Sequence, residues 1–125
     1  MIDRMTEEQH PREIPRRSIP RNLKNYFLVL LTRGARWNVI EDAEAEDLLP
    51  RHLDYLRSQT EGGRYILAGA VTEDAPYVGV IVVNAATRAE TVSLLSQDPG
   101  VAAGRLAYEI LPVVLPSLEE VVVRY

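Results

Sequence analysis

Two short segments of this sequence are apolar at nearly every position. They are Tyr26–Thr32 (YFLVLLT) and Tyr77–Asn84 (YVGVIVVN). A strand with one solvated face normally alternates apolar and polar residues, whereas a continuous apolar run is typical of a strand that is buried on both faces. We therefore predict that these two segments are the central strands of a sheet whose two faces are both covered. This requirement restricts the possible folds more than any other feature of the chain.

The segments around these strands predict the order β-α-β-β-α-β. Apolar side chains at spacings of three and four indicate a first helix, which Gly62-Gly63 ends. Because proline is tolerated only in the first turn of a helix, Pro50 predicts that the continuous helix begins near Leu49. Thr87 and Glu90 have the spacing of a capping box and begin a second helix. The second helix is predicted to span residues 88–97. The other two predicted strands are Arg64–Thr72 and Arg105–Val114.

This order is that of the ferredoxin-like α+β fold, a four-stranded antiparallel sheet with two helices on one face. Two helices can cover only one face of such a sheet. Since the central strands are apolar on both faces, something else must bury the second face, and a second copy of the same sheet is the economical solution. We therefore predict a homodimer that forms through the sheet face.

Residues 1–25 differ in composition from the rest of the chain. They contain three prolines and almost no apolar periodicity, so we expect a flexible N-terminal arm followed by one folded domain, residues 26–125. The arm has a net charge of +2 and the domain of −6. An acidic domain is a poor binder of nucleic acids, whose phosphates require clustered basic residues, so no nucleic-acid partner is predicted.

Several chemistries are not supported by the sequence. The chain has no cysteine and two histidines, which disfavours thiol catalysis, disulfides and a metal site. It contains no phosphate- or dinucleotide-binding motif, so no cofactor is predicted. No apolar run approaches the ~20 residues of a membrane span, and the N-terminus lacks the apolar core of a signal peptide. We expect no membrane association and a cytoplasmic location.

His52 and Asp98 are the candidate catalytic residues. His52 lies on the apolar face of the first predicted helix near its start, where the positive end of the helix dipole favours neutral imidazole. Asp98 directly follows the second predicted helix. Both helices lie on one side of the predicted sheet, and a carboxylate that orients a histidine is a common acid–base pair. The alternatives are a packing role for His52 and a helix-ending role for Asp98.

The long connection after the first strand carries a second candidate group. It contains Trp37 together with Arg33 and Arg36. Trp37 could line an aromatic pocket, and the two arginines could bind a carboxylate or a phenolate of a substrate. The alternative is that Trp37 covers the edge of the sheet while both arginines are solvated.

Three groups of residues match the pattern of one known family in order and spacing. The first group is a histidine in the first helix, a glycine eleven residues later, and a glycine in the second strand. The second group is an Asp-Pro pair that is followed by the last strand. The third group is the end of the first strand. The matching residues are His52 to Leu56 (HLDYL), Gly63-Arg64, Leu67 to Gly69, Asp98-Pro99, Ala103-Gly104, Glu109 to Pro112, and Leu31 to Gly34 with Trp37. With these motifs, residues 26–112 resemble the YciI-related family.

The resemblance implies a dimeric α+β barrel with an active site built from His52 and Asp98, and it adds Gly69 to the substrate-binding candidates. Where the family often has a proline after this glycine, the present chain has Ala70. Among the few activities assigned in the family is the dehydrochlorination of chlorinated hydroxyquinols.

Two functions follow from these observations. The first is a cofactor-independent enzyme that uses His52 and Asp98 for general acid–base proton transfer, in an isomerisation or elimination on a cyclic or enolisable substrate. The second is a non-catalytic module that binds or senses a small molecule in the same pocket. The two differ in what they require of His52. An enzyme needs a histidine that is close to Asp98 and reachable from a pocket, whereas a module allows one that is buried and bonded to backbone.

Overall fold

The computed structural model describes residues 21–124. Most of the predicted arm lies outside this range, as does the last residue. The described elements are β1 (Leu23–Arg33), α1 (Asp42–Glu61), β2 (Tyr65–Ala70), β3 (Tyr77–Val83), α2 (Arg88–Ser96), α3 (Pro99–Ala102) and β4 (Leu106–Pro116). None of the described helices has the length and apolar character needed to cross a membrane.

The four strands form one antiparallel sheet in the order β2-β3-β1-β4. The strands β1 and β3, which the sequence predicts to be central, are indeed the two inner strands of the sheet. Together with the α1 and α2 connections, this order confirms the predicted ferredoxin-like α+β fold. The ends of the observed strands lie within three residues of the predicted ends.

One face of the sheet packs against the helices. Because side chains alternate between the two faces of a strand, every second residue of β1 and β3 points to this face. Buried residues of β1, β2, β3 and α2 form the core here: Val29, Leu31, Tyr65, Ile81, Val83 and Leu95.

The opposite face remains without a helix in the described part of the chain. It is largely apolar, because the pairing register places Leu28, Leu30, Val80, Val82 and Leu111 on it, together with one charged residue, Glu109, opposite Leu30. The segment after β4 covers one end of this face, where the N–H of Leu118 donates to the buried Tyr26 hydroxyl (2.8 Å). The apolar face is the feature from which the homodimer was predicted, and the dimer itself stays a prediction.

The predicted start of the first helix is wrong. α1 begins at Asp42, two turns before Pro50, and the proline lies inside the helix. Pro50 cannot donate a hydrogen bond to the carbonyl of Glu46, but the turns before it are stabilised in other ways. Leu48 is buried, and the acidic side chains of Asp42 and Glu44 interact favourably with the positive end of the helix dipole. The connection between β1 and α1 is correspondingly short, residues 34–41.

The second helix begins as predicted. The Thr87 hydroxyl accepts the N–H of Glu90 (3.1 Å), which confirms the cap, and the Glu90 carboxylate accepts the N–H of Ala86 (2.8 Å). Its end at Ser96 agrees with the prediction to within one residue, but the segment after it was not predicted. Asp98 begins α3, a single helical turn with Pro99 at its first position, where proline is well tolerated.

Candidate active site

His52 and Asp98 are in direct contact. Nδ1 of His52 lies 2.6 Å from Oδ2 of Asp98, although the two residues are 46 positions apart in the chain. His52 projects from the middle of α1, and Asp98 lies at the junction of α2 and α3. Because His52 is ten residues beyond the start of α1, the field of the helix N-terminus, which acts within the first turn, does not reach it. The partner that determines the state of this imidazole is therefore Asp98.

Asp98 is fixed in position by a second contact. The residue is fully buried, and its Oδ1 accepts the N–H of Gly100 (2.8 Å) as the N-cap of α3. A Cβ on Gly100 would lie 2.8 Å from Cδ1 of Leu106 and 3.3 Å from Oδ1 of Asp98, so a larger residue there would require the end of the Leu106 side chain to move. The structure thus gives Asp98 a structural role that differs from the predicted helix-ending one, because Asp98 begins α3. One carboxylate oxygen caps a helix, and the other holds the histidine.

The contact with Asp98 also selects the tautomer of His52. An ionised carboxylate only accepts hydrogen bonds, so in the neutral imidazole Nδ1 carries the proton and Nε2 keeps its lone pair. Nε2 makes no hydrogen bond to any of residues 21–124. His52 lines a cavity of about 720 Å³ between α1 and the sheet, whereas Asp98 does not. This volume is within the usual range for small-molecule sites, about 300–1,000 Å³.

Trp37 and Arg105 form another part of the cavity wall. The Arg105 guanidinium lies over the Trp37 ring, 4.1 Å from its centroid, and Nη1 donates to the Trp37 carbonyl at 3.4 Å. Two backbone bonds join the segments that carry them, from the Gly34 N–H to the Arg105 carbonyl (2.7 Å) and from the Arg36 N–H to the Gly104 carbonyl (2.9 Å). The Trp37–Arg105 pair is therefore positioned by the backbone.

Of the other residues predicted to bind substrate, Gly69 lines the cavity, and Arg33 lies over the Trp37 ring, 5.4 Å from its centroid, without lining the cavity itself. Arg33 pairs with Asp74 (3.3 Å) and donates to the Ala75 carbonyl, and Arg36 donates to the Ala103 carbonyl (3.1 Å). Neither arginine lines the cavity, so the structure does not bring them together with His52. A part in substrate binding remains a prediction for all three.

Sequence reasoning missed Arg105, which was assigned only to the start of the last strand. The sequence feature that could have drawn attention to Arg105 is its position directly after Ala103-Gly104, one of the motifs that carry the family resemblance. Gly104 has a positive φ of 80°, a conformation that glycine adopts without strain. This turn carries the chain from α3 back towards the connection that contains Trp37.

Two tyrosines lie behind the dyad. The Tyr55 hydroxyl donates to the Leu94 carbonyl (2.5 Å), and its ring packs edge-on against Tyr65 with centroids 6.2 Å apart. Burial, followed by the negative charge of Asp98, raises the pKa of Tyr55. Burial, followed by the electrostatic interactions with Tyr55 and Asp98, likewise raises the pKa of Tyr65. The Tyr65 hydroxyl has no hydrogen-bond partner among the described residues. Both phenols therefore stay neutral around the buried carboxylate.

A matched pair of glycine substitutions tests how the Trp37–Arg105 wall is built. A Cβ on Gly34 would lie 2.2 Å from the Gly104 carbonyl oxygen, whereas a Cβ on Gly69 would have no atom within 4 Å. We expect Gly34→Ala to lower the free energy of unfolding by about 1–3 kcal/mol, because backbone has to move. Gly69→Ala should cause no loss. Urea unfolding of both variants measures this, and equal stability of the two would refute the close packing at Gly34.

The fold and the site define a class of protein, a ferredoxin-like domain with a histidine–carboxylate pair at the wall of a ligand-sized cavity. The YCII-related domain matches residues 27–114, and the chain belongs to this family. No curated protein matches the chain significantly in sequence. One similar solved structure is 5-chloro-2-hydroxyhydroquinone dehydrochlorinase from Burkholderia phenoliruptrix AC1100 in complex with 2,5-dihydroxybenzoquinone. The two chains are 17% identical in sequence. Their alignment covers 74% of the present chain and 91% of the dehydrochlorinase chain, with a TM-score of 0.47.

Proposed function

We propose that this protein is a small-molecule enzyme that catalyses proton transfer without a cofactor, on a cyclic or enolisable substrate. The observation that carries the proposal is the 2.6 Å contact between Nδ1 of His52 and Oδ2 of Asp98 at the wall of a cavity. A carboxylate that holds one ring nitrogen of a histidine leaves the other nitrogen ready to exchange a proton with a ligand.

In this proposal Nε2 of His52 removes a proton from a carbon next to a carbonyl or enol group of the substrate. The imidazole becomes an imidazolium, which the buried Asp98 carboxylate stabilises, and the electron pair of the C–H bond passes into the substrate. His52 then returns the proton to another atom of the substrate, which is an isomerisation. In an elimination, the C–H electron pair instead forms a new double bond, a leaving group departs with the electron pair of its own bond to carbon, and His52 afterwards releases the proton to water. Asp98 keeps its charge throughout and acts as the positioning residue.

The alternative, a binding module without catalysis, would use the same cavity. The sequence predicts for such a module a histidine that is buried and bonded to backbone. In the structure the partner of His52 is a carboxylate. The His52 side chain is 12% exposed and lines the cavity. These two features support the enzyme.

Hydrogen–deuterium exchange tests the proposal without knowledge of the natural substrate. The purified protein is incubated in D₂O with a panel of cyclic ketones and unsaturated lactones, and loss of the enolisable proton signals is followed by NMR. We expect catalysed exchange of at least one compound, and a decrease of about a hundredfold or more in the His52→Gln variant. The control is His10→Gln, the same change at the other histidine of the chain.

Two results would refute the enzyme. One is that wild-type protein exchanges no compound of the panel faster than buffer does. The other is that His52→Gln retains the wild-type rate, since the exchange would then come from other groups.

We propose further that the protein is a homodimer that forms through the sheet face opposite the helices, as in a dimeric α+β barrel. Support comes from the apolar residues of that face, which no described helix covers. The face includes Leu28 and Leu30 of β1 and Val80 and Val82 of β3.

A further inference from the structure

Among residues 21–124, Arg105 is a cation at the cavity wall without an acidic partner. It lines the cavity and is half-buried, but it forms no ion pair with any carboxylate of residues 21–124. The other lining arginine, Arg57, differs in this respect, because it lies 3.5 Å from the Asp54 carboxylate. A guanidinium has more N–H donors than the one that Arg105 uses on the Trp37 carbonyl. The remaining donors are available to a ligand.

The position of this guanidinium is fixed before any ligand binds. It stacks on Trp37, and the backbone bonds from Gly34 and Arg36 hold the two segments together. An arginine that is already ordered loses little side-chain entropy when it binds an anion, so more of the interaction energy contributes to affinity. Two acidic residues, Asp42 and Glu46, also line the cavity, but both are exposed on α1, where water screens their charge.

We infer that Arg105 is the anion-binding residue of this cavity and that its ligands are small ring compounds with a carboxylate or another anionic oxygen group. The guanidinium holds that group by charge-assisted hydrogen bonds. Leu48, Leu56 and Leu106 supply the apolar wall for the ring. This inference rests on the proposed function for the chemistry at His52. It deepens that function, because an anion held at Arg105 would determine which part of the substrate ring faces Nε2 of His52.

The chain contains one tryptophan, so its fluorescence reports directly on this site. Benzoate and benzamide are suitable probes because they have nearly the same shape and differ in charge. Each is titrated into the full-length protein with excitation at the red edge of indole absorption, and Kd is obtained from the change in Trp37 emission. We expect benzoate to bind at least about tenfold more tightly than benzamide, which is the effect of a charge-assisted hydrogen bond.

Variants assign this preference to one side chain. Arg105→Gln should bind benzoate and benzamide equally, whereas Arg51→Gln, with the same change at an exposed arginine of α1 that does not line the cavity, should keep the wild-type preference. Arg105→Lys keeps the charge but not the planar guanidinium, and should retain part of the preference. If Arg105→Gln does not fold, as judged by circular dichroism, the wild-type comparison and the lysine variant still decide the question.

The inference is overturned if wild-type protein binds both probes equally or binds neither. It is also overturned if a folded Arg105→Gln variant still prefers benzoate. Its failure can be told apart from failure of the proposed enzyme, because binding and proton exchange are measured separately. His52→Gln should lose exchange and keep the preference for benzoate. Exchange that survives in His52→Gln would refute the enzyme and leave the anion site intact.

Discussion

Replacing Asp98 by asparagine is expected to reduce proton transfer by about a hundredfold to ten-thousandfold while the fold is retained. The amide has the shape of the carboxylate, so its oxygen can still accept the N–H of Gly100 and cap α3. Its NH₂ group would then face Nδ1 of His52, and an NH₂ group can only donate. The imidazole must place its proton on Nε2 instead, and the atom that faces the cavity no longer has a lone pair to accept a proton.

Two measurements separate this effect from a loss of structure. The ¹⁵N chemical shifts of the His52 ring report directly which nitrogen carries the proton, and they should interchange between wild type and Asp98→Asn. Thermal unfolding should show that the variant remains folded. The matched control is Asp54→Asn, the same change at an exposed carboxylate of α1 that does not line the cavity. A wild-type exchange rate in Asp98→Asn would show that the carboxylate does not orient a catalytic base.

The arrangement of the sheet could be predicted because it depends on patterns that few folds satisfy. The continuous apolar character of β1 and β3 required central positions, and the order of elements left one common topology. The start of α1 could not be predicted in the same way. The helix penalty of Pro50 is a local quantity, and it is outweighed by burial of Leu48, which depends on the packing of α1 against the sheet.

The site illustrates the same limit at the level of side chains. His52 and Asp98 were predicted as a pair because the topology brings their two helices to one side of the sheet and because the motifs resemble a known family. The role of Arg105 in the cavity depends on a turn with a positive φ at Gly104 and on backbone bonds to the connection that carries Trp37. Spacing along the chain contains no information about such contacts between distant segments. Arg33 and Arg36 have suitable chemistry and neighbouring positions, but their side chains bond to other groups.

A glutamate at Leu28 is expected to dissociate the proposed homodimer. Leu28 lies on the apolar face of the sheet, paired with Val82 on one side and Leu111 on the other. In a two-fold symmetric dimer each substitution occurs twice, so two carboxylates would enter the same interface. Burying an unpaired charge costs several kcal/mol, and we expect the dimer Kd to rise by about a thousandfold or more.

Sedimentation equilibrium across the micromolar range measures this change. Wild-type protein should sediment as a dimer. A stable dimer of this kind has to bury at least about 1,200 Å² in total. Leu28→Glu should sediment as a monomer. Val39→Glu is the matched control, because Val39 is 64% exposed in the connection before α1 and does not belong to the sheet. It should remain dimeric.

The outcome also shows what the apolar face does if the dimer is absent. If wild-type protein is a folded monomer at all concentrations, the face is not an interface between two copies. Leu28→Glu should then sediment as wild-type protein does. If instead Leu28→Glu dissociates the dimer and proton exchange falls with it, the cavity between α1 and the sheet depends on the partner for its active form. Exchange that persists in the monomer would show that His52, Asp98 and the cavity of a single chain are sufficient.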